Sequence, residues 1–269
     1  MDESAVPNAN GTVAGLLHNI ISHELGRQPG SVRVLDFGCG AGEAVQTFLA
    51  LGYDAYGCDI GADWPGAPGE WERGLPGKMW KENARARLIP ITASPYRLPF
   101  PSGTFDVVVS NSVFEHAQNK QEAFAEIARV LKAGGLGIHF IPAKWRFIEP
   151  HIYVPLVSWM WPNVPDWWLS LWALLGVRNE FQQDMHWHDV SLNNRAYCRE
   201  GLHYWRLHKY RSLFRKTFGD YVSFEDQRLR LGRGKIARLS SILHLGWIAG
   251  PIRAVFVEAC IGHHNSRYE

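Results

Sequence analysis

The segment Val34-Leu35-Asp36-Phe37-Gly38-Cys39-Gly40-Ala41-Gly42-Glu43 constrains this chain more than any other. A short apolar run, Ser31–Phe37, leads into three glycines at alternate positions and then into a helical pattern over Glu43–Leu51. A continuously apolar strand is buried on both faces, which is a property of parallel sheets covered by helices on either side. Glycines at the strand-to-helix turn let a ligand lie against bare backbone at the carboxyl edge of such a sheet. The alternation continues along the chain. A helix over Thr12–Leu25 precedes the first strand, and further strands are expected at Tyr53–Ile60, Leu88–Thr92, Thr104–Ser110 and Leu136–Ile141. Between the last two, a helix over Gln121–Leu131 is expected to end at Gly134-Gly135. This pattern predicts an α/β fold with a mostly parallel sheet and helices on both faces.

Two classes of ligand use a glycine turn of this kind, dinucleotides and S-adenosylmethionine. The dinucleotide fingerprint GxGxxG fails, because Glu43 stands where the third glycine belongs. A carboxylate there opposes a pyrophosphate at the helix N-terminus. S-Adenosylmethionine instead carries a sulfonium and an ammonium, with which Asp36 and Glu43 are compatible. A purely structural turn leaves the acidic Asp36 at the strand end without a packing reason. Some twenty residues on, Cys58-Asp59-Ile60 ends the second strand, and a carboxylate there offers two acceptors to the hydroxyls of a ribose.

The runs VLDFGCGAG, YGCD, RLPFPSGTFDVVVSNSVFEH and EIARVLKAGGLG resemble, in order and spacing, the successive motifs of class I S-adenosylmethionine-dependent methyltransferases. They are most similar to the group that includes the ubiquinone- and menaquinone-pathway enzymes. The resemblance spans Ser31 to Ile141, roughly two-fifths of the chain. It implies a Rossmann-like fold with a seven-stranded sheet and S-adenosyl-L-methionine as cofactor. It also implies that Asp36, Gly38, Gly40 and Gly42 surround the methionine half, that Asp59 holds the ribose and that Asn111 lies near the methionine moiety. Ser94 falls beside the adenine, at a position where that group usually has Asp.

After Pro142 the alternation stops. Eight of the twelve tryptophans lie between Trp145 and Trp205, in a segment expected to be an insertion between the fifth and sixth strands. Three roles compete for them: a lid or core over the cofactor, an acceptor pocket, or an interfacial membrane patch. The runs EPHxxxPLxSWMWP and NRAYCREGLHYW are similar to methyltransferases of bacterial cell-surface glycan and lipid-linked sugar clusters, which implies a sugar hydroxyl as acceptor. A hydroxyl acceptor benefits from a base. The candidates are His116, after the fourth strand, and His151 and His186 in the insertion, with His188 and His203 beside them. His186-Trp187-His188-Asp189 offers two imidazoles on one face of a strand, but no third ligand stands at a standard spacing, so no metal is expected.

Composition limits the alternatives. With 28 basic and 26 acidic side chains and a net charge of +2, the chain as a whole is not a nucleic-acid binder. Four scattered cysteines and an N-terminus without a secretory pattern point to the cytoplasm, free or held peripherally at the inner face of the membrane. The basic stretch Arg228–Arg238 is either a solvated face or a contact for a carrier phosphate. The organisation expected is one methyltransferase domain over 1–269, with a cofactor-binding core at 31–141, a substrate-covering insertion at 142–210 and C-terminal strands and a helix at 211–269. The expected reaction is O-methylation of a sugar-containing or other small-molecule acceptor, free or glycan- or lipid-linked. The rivals are C- or N-methylation of an aromatic or lipid-like acceptor, and a non-catalytic adaptor at a membrane. Oligomeric state is not legible.

Overall fold

The structure, a computed structural model, describes residues 13–60, 86–93, 95–142, 144, 147–219, 221–223 and 258–263. In chain order the elements are α1 (Val13–Leu25), β1 (Arg33–Phe37), α2 (Glu43–Ala50), β2 (Asp54–Asp59), β3 (Leu88–Pro90), β4 (Phe105–Asn111), α3 (Lys120–Val130) and β5 (Leu131–Ile141). The insertion follows with α4 (Val157–Met160), α5 (Asp166–Leu174) and α6 (Trp187–Ala196). After it come α7 (Leu207–Phe218), β6 (Tyr221–Ser223) and β7 (Glu258–His263). One sheet joins the strands in the order β3-β2-β1-β4-β5-β7-β6. The first five are parallel, and β7 runs antiparallel to both β5 and β6. This is the α/β, mostly parallel architecture that the strand–helix alternation predicts.

The apolar strands feed two cores. Val34, Val107, Val109 and Ile138 pack with Leu17, Ile20 and Ile21 of α1 and Val45 and Phe48 of α2. Leu35 and Val108, pointing the other way, pack with Phe124 and Ile127 of α3 and Phe214 and Phe218 of α7. Alternate residues of one strand therefore serve opposite layers, and no polar face is left. Full burial of each such side chain contributes about 1.5–3 kcal/mol. At the amino edge of the sheet Asp106 accepts from Arg27 Nη1 at 2.7 Å, Lys132 Nζ at 2.9 Å and the Arg33 N–H at 2.9 Å. This ties β1, β4 and β5 together at the edge opposite the glycine turn.

Several boundaries differ from the sequence pattern, each for a local reason. α3 ends at Val130, and Gly134-Gly135 lies inside β5 instead of closing the helix. A Cβ on Gly135 would meet the Lys132 carbonyl oxygen at 2.8 Å, so the glycines mark a close backbone approach beside a register shift between Phe105 and Val107. β3 stops at Pro90, an edge-strand residue whose nitrogen faces away from β2, and the Ile91 N–H makes the last bond, to the Asp59 carbonyl at 2.8 Å. α7 begins at Leu207, not His203, because the backbone is still extended at Arg206, with φ of −71° and ψ of 145°. The His186–Asp189 segment opens a helix and does not form a strand.

The insertion has its own core. Val154, Val157, Leu169, Leu202 and Tyr204 are buried together, with Trp161, Trp168 and Trp172 packed against them. Trp161 and Trp168 donate their indole N–H groups to the carbonyls of Cys198 and Pro155. α5 turns its other side outward, where Trp167 is 64% and Leu174 63% exposed. No helix among the described residues is long and apolar enough to cross a membrane. Ser94, Trp145 and Arg228–Arg238 lie outside the described residues.

Candidate functional site

The carboxyl edge of β1 delivers the glycine turn. Gly38, Gly40 and Gly42 have φ of +77°, +50° and +79°, the left-handed region that glycine enters without a Cβ penalty. At Gly38 the requirement is also steric, since a Cβ would fall 2.3 Å from Val113 Cγ2. At Gly40 a Cβ would meet nothing within 4 Å, so its bare face is open. The Gly38 and Cys39 N–H groups donate to the Cys58 carbonyl, and the Gly40 N–H to Asp59 Oδ2 at 2.7 Å. The end of β2 thus shapes the turn and places Asp59 beside it.

Asp36 is the charged centre of this edge. It is only 6% exposed, and its carboxyl is pushed up to about 7 by burial and by the neighbouring Asp59 carboxylate. Among the described residues its charged neighbour is therefore another anion, and no cation is hydrogen-bonded to it. Asn111 is exposed at the tip of β4. Ser112, next along, holds a left-handed φ of +56°. Asp36, Gly38, Gly40, Gly42 and Asp59 are thus brought together, with Asn111 on the same sheet edge.

Gly57, on β2 beneath the turn, is a further residue of the site that the sequence reading did not single out. A Cβ there would stand 2.7 Å from Cys39 Sγ and 2.8 Å from Val45 Cγ2. Gly57→Ala is expected to cost about 1–3 kcal/mol through overpacking. That lowers the melting temperature by about 2–4 °C per kcal/mol, a shift that calorimetry reads.

A second cluster stands after β4. The Val113–Ala117 turn, which packs Val113 on Gly38, carries Glu115 and His116. His116 Nδ1 lies 2.6 Å from the Gly201 carbonyl oxygen, and its Nε2 lies 3.4 Å from Nε2 of His151. His151 Nδ1 is 3.0 Å from Glu149 Oε1. A carbonyl oxygen can only accept, so His116 carries its proton on Nδ1. Burial, aided by His151, pushes the His116 imidazole down to about 3, which keeps the ring neutral at physiological pH. Glu149 is fully buried. Burial pushes its carboxyl up, but hydrogen bonds from the His151 ring and from the N–H groups of His151 and Ile152 outweigh this and hold it below the usual range.

Of the three candidate bases, the structure brings His116 and His151 together and leaves His186 apart. His186 is exposed and caps α6, its Nδ1 accepting from the His188 N–H at 3.4 Å. His188 and Asp189 are exposed at the same helix start. His203 is half-buried with its ring against the Glu200 carbonyl. Sequence reasoning missed Glu115 and Glu149 as members of the site. The signal was present in both cases, a glutamate next to His116 and another two residues before His151.

Residues 35–138 match a family model described as a methyltransferase domain. A sterol 24-C-methyltransferase of Gibberella zeae is 30% identical over 117 residues, which cover 43% of this chain and 29% of that one. The polyketide synthase component of compactin nonaketide synthase from Penicillium citrinum is 30% identical over 150 residues, 52% of this chain and 5% of that one. The chain thus spans less than a third of the length of the curated relatives it matches. Among solved structures, an S-adenosylmethionine-dependent methyltransferase from Mesorhizobium loti is similar at a TM-score of 0.49 and 13% identity, over 94% of this chain and 99% of that one. A Haemonchus contortus phosphoethanolamine N-methyltransferase in complex with S-adenosyl-L-methionine is similar at a TM-score of 0.48 and 14% identity, over 94% of this chain and 53% of that one.

Proposed function

We propose that this chain is an S-adenosylmethionine-dependent methyltransferase that methylates an oxygen of a sugar-containing or other small-molecule acceptor. The observation that carries the first half is the Asp36 carboxylate, buried beside an open glycine turn with another carboxylate as its charged neighbour. Such a pair disfavours an anionic ligand and suits a cationic one. The donor set fits the methionine end of the cofactor, with Asp36 for its positive charge, Gly38, Gly40 and Gly42 for close backbone approach and Asp59 for the ribose hydroxyls. When bound, S-adenosylmethionine supplies a methyl group on a positively charged sulfur.

The acceptor half rests on the cluster after β4. An oxygen nucleophile strengthens as its proton is drawn off or its charge is offset, and the imidazoles of His116 and His151 stand there beside Glu115 and Glu149. Transfer to carbon or nitrogen, the chemistry that the names of several similar proteins carry, has less need of such a cluster. The insertion, with its tryptophan-lined core, is the part of the chain placed to select the acceptor, and its resemblance to glycan-cluster methyltransferases favours a sugar. The outward Trp167 and Leu174 favour contact with a lipid-linked acceptor or membrane surface.

Titration calorimetry of the purified chain with S-adenosylmethionine tests the first half. Saturable one-to-one binding is expected, weakened by at least about 100-fold in Asp59→Ala as two hydrogen bonds to a charged acceptor are lost. Absence of binding in the folded wild type sinks the reading. Mass spectrometry for the gain of one CH₂ on candidate sugar nucleotides and lipid-linked glycans then tests the acceptor.

A further inference from the structure

Glu115, His116 and His151 place one ligand atom each within 4.8 Å of one another. They come from two separate segments, the turn after β4 and the start of the insertion. In both histidines Nδ1 is held by an acceptor, the Gly201 carbonyl for His116 and the Glu149 carboxylate for His151. Each ring thus gives its Nδ1 to a second-shell acceptor and leaves Nε2 as the nitrogen available to a metal. The two Nε2 atoms stand 3.4 Å apart. Two imidazole nitrogens each about 2.0–2.1 Å from a tetrahedral metal stand about 3.3 Å apart, which is the separation seen.

The surroundings fit the same reading. A ligating histidine is normally fixed by giving its other ring N–H to a carboxylate or a backbone carbonyl, and both forms are present here. Glu149 is itself anchored by the N–H groups of His151 and Ile152, at 2.8 and 3.0 Å. The Tyr197 and Tyr204 hydroxyls reach the same carboxylate at 3.4 and 3.5 Å. Glu115 and Glu149 are both fully buried, where a nearby cation favours the carboxylate form. The nearby Lys120 ammonium is given to the carbonyls of Ala117 and His203.

We propose that His116 Nε2, His151 Nε2 and the Glu115 carboxylate form a binding site for a divalent transition metal ion, zinc first. Two imidazoles and one carboxylate suit zinc and its first-row neighbours better than magnesium or calcium. Three protein ligands leave one position of a tetrahedral ion for an outside oxygen. Resting on the methyltransferase reading, that position takes the acceptor hydroxyl, whose proton a bound dication makes easier to remove. The metal binding itself does not depend on that reading.

The test uses the full-length chain without a polyhistidine tag, stripped with a chelator and titrated with Co²⁺ alone, then with Zn²⁺ in competition. Saturable one-to-one binding with the intense visible absorption of tetrahedral Co²⁺ is expected. His116→Gln and His151→Ala should lose it, Glu149→Gln should weaken it about 10- to 100-fold through the outer shell, and the remote His23→Ala should keep it. Circular dichroism checks that each variant is folded, and Zn²⁺ should raise the melting temperature of the wild type but not of His151→Ala. No saturable Co²⁺ or Zn²⁺ binding by the wild type, or binding that survives in folded His151→Ala, overturns the proposal. S-Adenosylmethionine binding is measured on the same metal-free protein. Its presence without metal binding removes this site and keeps the methyltransferase reading, and the reverse outcome does the opposite.

Discussion

Asp36→Asn is expected to cut S-adenosylmethionine affinity by at least about 100-fold while making the ligand-free protein more stable above pH 7. Both effects come from one buried charge. Removing one member of a buried ion pair costs about 3–5 kcal/mol, because the other charge is left without compensation, and each 1.4 kcal/mol is tenfold in affinity. Without ligand the same carboxylate is a burden. Its folded-state value of about 7 lies above the ordinary value of 3.8, so between those limits the folded chain holds a proton that the unfolded chain has released. Stability from this group therefore falls as pH rises from about 4 to 7, and the penalty is complete above 7. A neutral asparagine removes it, for a gain on the order of 2–4 kcal/mol at pH 8 and none near pH 4. Calorimetric melts at the two pH values, beside binding titrations, check both halves. An asparagine variant that binds the cofactor normally contradicts the role given to Asp36.

His116→Ala is expected to slow methyl transfer by about 10²- to 10⁴-fold, the usual contribution of a group that removes or stabilises loss of a proton. Cofactor affinity should change by less than about threefold, because the substitution leaves Asp36, Asp59 and the glycine turn in place. The separation of the two readouts is what matters. A merely structural His116 loses both together, since the turn that bears it packs Val113 against Gly38. Single-turnover rates at saturating cofactor, with the dissociation constant measured alongside, distinguish the cases.

The glycine turn at the carboxyl edge was legible from sequence because its signals are local. Strand, glycines, helix start and Asp59 sit within 26 residues of one another, and the periodicity that buries Val107, Val108 and Val109 on alternate faces needs no knowledge of distant partners. The histidine cluster was only half legible. His116 and His151 were each candidates, but nothing in the spacing of 35 residues tells that their rings meet. The two glutamates that complete the cluster act through tertiary packing. His186 shows the converse limit, since an imidazole beside a tryptophan in the insertion is equally a helix cap. Glycine pairs are ambiguous in the same way. Gly134-Gly135 fits a helix end and a crowded strand alike, and only the approach of the Lys132 carbonyl to Gly135 decides between them.

The Gly201 carbonyl sets the proton position on His116 with a main-chain atom of the insertion. Every residue type has such an oxygen, so this hydrogen bond does not depend on which side chain stands at 201. The constraint falls instead on the path of the chain, since a Cβ at 201 would press on the Tyr197 ring at 3.0 Å. Swapping insertions between related chains to change acceptor preference should therefore succeed when the backbone across 197–204 is grafted intact. It should fail when the junction is cut inside that stretch, however similar the sequences on either side.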